Sequence, residues 1–256
     1  MVDTVKRTGG KSPLVAQLLA LALLILPSLA AWALGAPGMS SILQTVFVAV
    51  AIFALVACWP FVGPGIPADP DRGIAVLLGL ISLVLVFILP GFTGLEGIWN
   101  SAGDLGSTWP LARLWLESTA LLLTILAVVM FVRQMARKNR RMVIRGISAT
   151  ALSGLAVVCA SGWVLLPSLC SLIAGLMEVA PLPVALVAVV GLILLAGLVL
   201  AGREWGRDLA VADAEEVEKA GQTNRVGSAW FGMALVPVML SGALVVLSIT
   251  ALHFLV

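Results

Sequence analysis

Charge is what this chain has least of. Lys, Arg, Asp and Glu make up 11% of its 256 residues, while 61% are hydrophobic. A soluble domain carries about 25% charged and roughly 45–50% apolar residues. A water-soluble fold of this size would have to expose its apolar excess, which soluble proteins avoid. Bilayer hydrocarbon accepts such a composition, so the sequence specifies an integral membrane protein.

Other scarcities narrow the class further. Tyr is absent, and His occurs once, at His253 near the carboxyl end. That argues against a haem protein or a His-rich metal site. The three cysteines, Cys58, Cys159 and Cys170, make no disulfide framework. Cys58 and Cys159 fall in apolar runs, where a thiol serves as a small packing residue. No Walker glycine–lysine motif is present, so the chain carries no P-loop ATPase. Neither a Ser–His–Asp arrangement nor a paired-carboxylate motif stands out, and no catalytic residue, metal ligand or resident cofactor is assigned. No charge falls near the middle of an apolar run, which removes the usual evidence for proton relays, voltage sensors and buried ion sites.

What is present is a series of seven apolar runs: 14–35, 41–62, 73–91, 111–132, 147–167, 182–202 and 228–254. About 20 apolar residues span the hydrocarbon core. In lipid a spanning backbone must satisfy its own hydrogen bonds, so these runs are helices; barrel strands would be about 10 residues long with alternating polarity. The fold expected is an all-α, polytopic bundle of seven spans, forming one transmembrane domain over 1–256 without room for a soluble domain.

Cations orient the bundle. With a cytoplasmic amino terminus, Lys6, Arg7, Lys11, Arg72, the six cations of RQMARKNRRMVIRG, and Arg203, Arg207, Lys219 and Arg225 all lie inside. These are fourteen of the fifteen Lys and Arg residues. The opposite loops, near 36–40, 92–110 and 168–181, contain none, and Arg113 stands at the outer end of the fourth run. The amino terminus is thus expected inside and the carboxyl terminus outside, in a plasma membrane of bacterial inner-membrane type.

The basic run then connects spans four and five at the inner surface. Arg133, Arg137, Lys138, Arg140, Arg141 and Arg145 are expected against anionic lipid headgroups, at about 1 kcal/mol per cation close to the membrane. No aromatic residue interrupts them, so no base-stacking platform for nucleic acid exists. Residues 203–226 read as an amphipathic cytoplasmic helix continuing span six. Asp213, Glu215, Glu216 and Glu218 crowd there, either as a solvated face or as a dock for a cytoplasmic partner.

Two segments leave alternatives open. The first run follows a basic start and contains Pro27 and a small-residue Ala31-Trp32-Ala33, so signal cleavage competes with a retained span; retention is favoured. The stretch 147–180 exceeds one ordinary crossing. Pro167 is expected to end the span and leave SLCSLIAGLMEVA as an outer interfacial or re-entrant helix, with one long tilted helix as the rival.

Among candidate functional features, Arg113 and Glu117 lie one helical turn apart and can pair. Beside Trp109 and Trp115 they read first as an interfacial ion pair. The sharper alternative is an outer-face binding site shared with Glu96, Asp104 and Glu178 from neighbouring loops. The pattern Pro110-x-x-Arg113-x-x-x-Glu117, between an external loop and a basic connection, resembles one membrane helix of bacterial copper-handling CopD-like proteins. That resemblance implies copper passage or delivery; the chain departs from it in having no His or Met ligand cluster. Gly146, Ala149, Ser153, Ala156 and Ala160 form a small-residue face on span five, which permits close helix approach. Pro27 and Pro237 fall inside spans one and seven, where they can kink the helix.

The sequence therefore favours a non-enzymatic multi-pass protein, either a transport component or a subunit of a membrane complex with a membrane or cytoplasmic protein partner. An outer-face enzyme or metal-handling protein using Arg113 and Glu117 is the alternative.

Overall fold

A computed structural model describes residues 13–33, 37–61, 68–92, 105–136, 143–220 and 229–256. All regular structure among them is helical: α1 (Pro13–Ala33), α2 (Pro37–Ala57), α3 (Ala68–Phe92), α4 (Leu105–Ala136), α5 (Val143–Ala160), a 3-10 turn (Ser161–Leu165), α6 (Leu166–Leu176), α7 (Pro181–Ala220), α8 (Ala229–Leu240) and α9 (Gly242–Leu255). Because α5 runs through the 3-10 turn into α6, and α8 into α9, these make seven rods. By length and composition four can cross a membrane: Thr108–Arg133, Ile147–Leu176, Pro181–Trp205 and Trp230–Leu255. Leu14–Ala30 and Ile42–Ala57 are shorter apolar helices. The chain is a multi-pass helical membrane protein.

Pro167 does not end a span. It sits in the first turn of α6, where a missing N–H leaves no hydrogen bond unmade. The 3-10 turn before it interrupts the α-helical hydrogen bonding without ending the rod. Leu169, Leu172 and Leu176 are buried, so 147–176 is one long interrupted rod rather than a span followed by an interfacial helix. The third rod also begins earlier than its apolar run suggests, at Ala68 rather than residue 73.

The two rods most enclosed by the others, α5–α6 and α8–α9, cross at their interruptions. A Cβ on Gly162 would overlap the carbonyl of Gly242, and one on Gly242 would overlap the carbonyl of Cys159. Only glycine lets the two backbones meet there. Trp163 seals the crossing by donating from Nε1 to the Val238 carbonyl (2.9 Å), which also accepts from Ser241 Oγ (2.7 Å). Below the crossing the small-residue face of α5 is buried at Ala149, Ser153, Ala156 and Ala160.

The outer rods show lipid-facing geometry. On α4 the stripe Thr108, Leu111, Ala112, Trp115, Thr119, Leu122 and Leu126 is buried, while Leu121, Ile125, Val128, Phe131 and Val132 point away from the protein. α7 is the most peripheral, with Val184 and Val187 buried and Leu192, Ile193 and Leu200 exposed. On α1 and α2, Gln44 donates to the Leu24 carbonyl (2.7 Å) and accepts from Ser28 Oγ (2.9 Å). Both bonds fall within a few residues of Pro27, where the helix has lost a backbone donor.

One hydroxyl ties three rods together. Ser161 Oγ accepts from Trp115 Nε1 (2.8 Å) and Ser82 Oγ (2.7 Å) and donates to the Val158 carbonyl (2.7 Å). A hydroxyl has one donor and two acceptor positions, and all three are filled. Ser161→Ala should cost about 1–3 kcal/mol, because Trp115 Nε1 and Ser82 Oγ lose their shared acceptor in a dry interior. Thr124→Ala, which removes only an exposed hydroxyl bonded to the Ala120 carbonyl of its own helix, should be near neutral. Thermal unfolding in detergent compares the two; equal midpoints would contradict the network.

Candidate functional site

The bundle has two ends of different character. Arg113 and Arg133 lie twenty residues apart on α4, about 30 Å along the axis, which is the thickness of the hydrocarbon core.

At the Arg113 end the polar groups are exposed. Arg113 Nε donates to Glu117 Oε1 at 2.8 Å, with the side chains 67% and 60% exposed. The pairing read from their spacing is therefore present, and an exposed pair of this kind contributes at most about 1 kcal/mol. Nearby, Trp109 stacks on His253 (4.3 Å between centroids) and meets Phe254 edge-on. Interfacial aromatic groups of this sort anchor helix ends. Glu178 is exposed just past α6. Glu96 and Asp104 lie outside the described residues. Among the described residues no three His, Cys, Asp or Glu side chains stand close enough to hold a metal ion.

At the other end the polar groups are buried. Asp71, in the first turn of α3, is 1% exposed and pairs with Arg133, whose Nη1 donates to Asp71 Oδ1. Thr150 Oγ1 of α5 donates to the same oxygen at 2.8 Å. Three rods are thus pinned to one carboxylate. Among the described residues, of seven buried side-chain N and O atoms without a hydrogen-bond partner, six belong to Gln17, Trp59, Asp71, Arg72 and Arg133. These residues come from the start of α1, just past the end of α2, the start of α3 and the end of α4, so among the described residues the unsatisfied polarity is concentrated at one end. Gln17 is fully buried, against Gly202 and Pro237.

Arg133 is thereby turned inward, onto Asp71. Arg145 lies in the first turn of α5, and Arg137, Lys138, Arg140 and Arg141 fall outside the described residues. Asp71 escaped the sequence reading because DPDR looks like loop. Its signal was the spacing Asp71, Ala75, Leu78, Ser82, Val86, which continues one helical stripe back through the acid; all five are buried.

A third feature lies in the half of the bundle nearer Arg113. A groove of about 330 Å³ opens between α1, α6, α7 and α9. Trp163 forms its floor at the crossing; Leu169, Ile173, Val187 and Leu252 line its walls. Its hydroxyls are Ser241 and Ser248, the latter facing Gly191 of α7. A volume in the range of about 300–1,000 Å³ suits a small ligand or a chain segment, and the walls suit an apolar one.

Comparison with family models, curated proteins and solved structures returns no match to this chain.

Proposed function

We propose that this is a non-enzymatic protein of the plasma membrane, of bacterial inner-membrane type, acting as a transport component or as a subunit of a membrane complex. The observation that supports this reading best is the crossing of two interrupted rods at mid-depth beside a groove open to lipid. Discontinuous helices meeting near the bilayer midplane are a device by which carriers build a cargo site. The groove's lining calls for a cargo, or a partner helix, that is apolar where it touches. The one-sided distribution of cations favours a cytoplasmic amino terminus and an external carboxyl terminus. The basic run then rests on anionic headgroups at the inner surface.

Sidedness and activity are tested together. In a chain whose native cysteines are replaced, an impermeant maleimide applied to intact cells should label Arg113→Cys and spare Lys138→Cys. The opposite pattern inverts the threading. Purified in mild detergent at native abundance, the chain should either retain a stoichiometric membrane partner or move an apolar probe unaided in proteoliposomes. A lone chain that moves nothing would sink the reading.

A further inference from the structure

An arginine and a carboxylate commonly mesh through two parallel bonds. Here one is made. Asp71 Oδ1 takes both Arg133 Nη1 and Thr150 Oγ1, while Asp71 Oδ2 and Arg133 Nη2 stay buried without a hydrogen-bond partner. Arg72, next in the chain, keeps a buried Nε in the same state. Unmade bonds on buried charged groups are expensive, and buried polar atoms in folded proteins are almost always paired with something. The two partners of one ion pair therefore present an unused negative acceptor and an unused positive donor. The complementary ligand carries an N–H cation next to an anionic oxygen.

Location supplies the ligand class. Asp71 lies four residues into α3, Arg133 lies three residues before the end of α4, and the apolar sequence of α3 resumes at Ile74. This is the depth of lipid headgroups. The Arg133 side chain is 20% exposed and Asp71 1%, so a ligand reaches the two buried atoms from the Arg133 side, as the guanidinium turns. We propose that this end of the bundle holds a phospholipid headgroup with a primary ammonium beside its phosphate, as in phosphatidylethanolamine. The ammonium donates to Asp71 Oδ2 and the phosphate accepts from Arg133 Nη2. A choline headgroup has no N–H for Oδ2. A purely anionic headgroup satisfies Arg133 but sets its charge against Asp71. The basic run attracts anionic lipid without distinguishing headgroups; this pair distinguishes them. The inference is independent of the groove and of any transport activity.

The test uses the full chain in nanodiscs of equal amounts of phosphatidylethanolamine and phosphatidylcholine with identical tails, read as lipid retained after detergent extraction. Retention should favour ethanolamine by about tenfold, the worth of one charge-assisted hydrogen bond. Mono- and dimethylated ethanolamine lipids, which still carry an N–H, should be retained ahead of choline. Thr150→Val, which leaves Oδ2 and Nη2 in place, should keep the preference, and Asp71→Asn should reduce it to near one. Equal retention of ethanolamine and choline lipids by the unmodified chain would overturn the proposal, whatever the variants do. So would an unchanged preference in a folded Asp71→Asn protein. Soluble phosphoethanolamine carries the same two charges without tails; displacement of the lipid by it would overturn the assignment to a membrane lipid.

Discussion

Gly242→Leu is expected to abolish the folded bundle. The side chain would have to enter the space held by the Cys159 carbonyl and the indole of Trp163. The first of these is backbone and cannot swing aside. Both belong to the α5–α6 rod, so pushing it off α8–α9 also breaks the Trp163–Val238 bond and opens the core on both sides. The cost should exceed the roughly 4–5 kcal/mol that marks an exceptional single substitution. Gly197→Leu is the matched control, because nothing lies within 4 Å of the added Cβ on the lipid side of α7. It should leave stability unchanged or slightly raised, since leucine is the better helix former. Size-exclusion in detergent reads the difference: a monodisperse peak for Gly197→Leu and aggregate for Gly242→Leu. A well-behaved Gly242→Leu protein would mean the rods do not cross there.

Arg133→Leu carries the second large effect. It leaves the carboxylate of Asp71 buried, with the Thr150 hydroxyl as its remaining donor. Removing one member of a buried pair costs about 3–5 kcal/mol, whereas replacing both with apolar residues is often neutral. The double variant Asp71→Leu/Arg133→Leu should accordingly recover most of the loss, although Thr150 then loses that acceptor. Arg113→Leu, which removes a cation from an exposed pair on the same helix, should change stability by no more than about 1 kcal/mol. Chemical unfolding of these proteins, with Asp71→Leu alone to complete the cycle, gives the coupling energy. If Arg133→Leu unfolds alongside Arg113→Leu, the pair is not shielded and the polar end of the bundle has been misplaced.

How much of this was legible in the sequence depends on the scale of the feature. Seven rods were readable because apolar run length is set by the solvent alone. The continuation of span six was readable too, since Arg203 to Ala220 keeps a helical pattern without a proline, and α7 runs unbroken to Ala220, the rest of 203–226 lying outside the described residues. Arg113 and Glu117 pair because four residues is one turn, a purely local fact. Pro167 misled because proline signals a stop only inside a helix, and a 3-10 turn had already reset the helix there. Ser82, Ser161 and Thr150 were invisible for another reason. A hydroxyl in an apolar run is commonplace, and what gives these three a role is the partner each meets on another rod. Asp71 combined both problems, a helix boundary five residues earlier than the apolar run and a partner sixty-two positions away.

The length of α7 has a mechanical consequence. Its 40 residues make a rod of about 60 Å, and the apolar crossing ends near Trp205. The remaining fifteen residues extend the rod by about 20 Å on the side away from the groove. Because the helix is continuous, a sideways displacement at Ala220 would be carried along the rod to Gly191, which faces Ser248 across the groove.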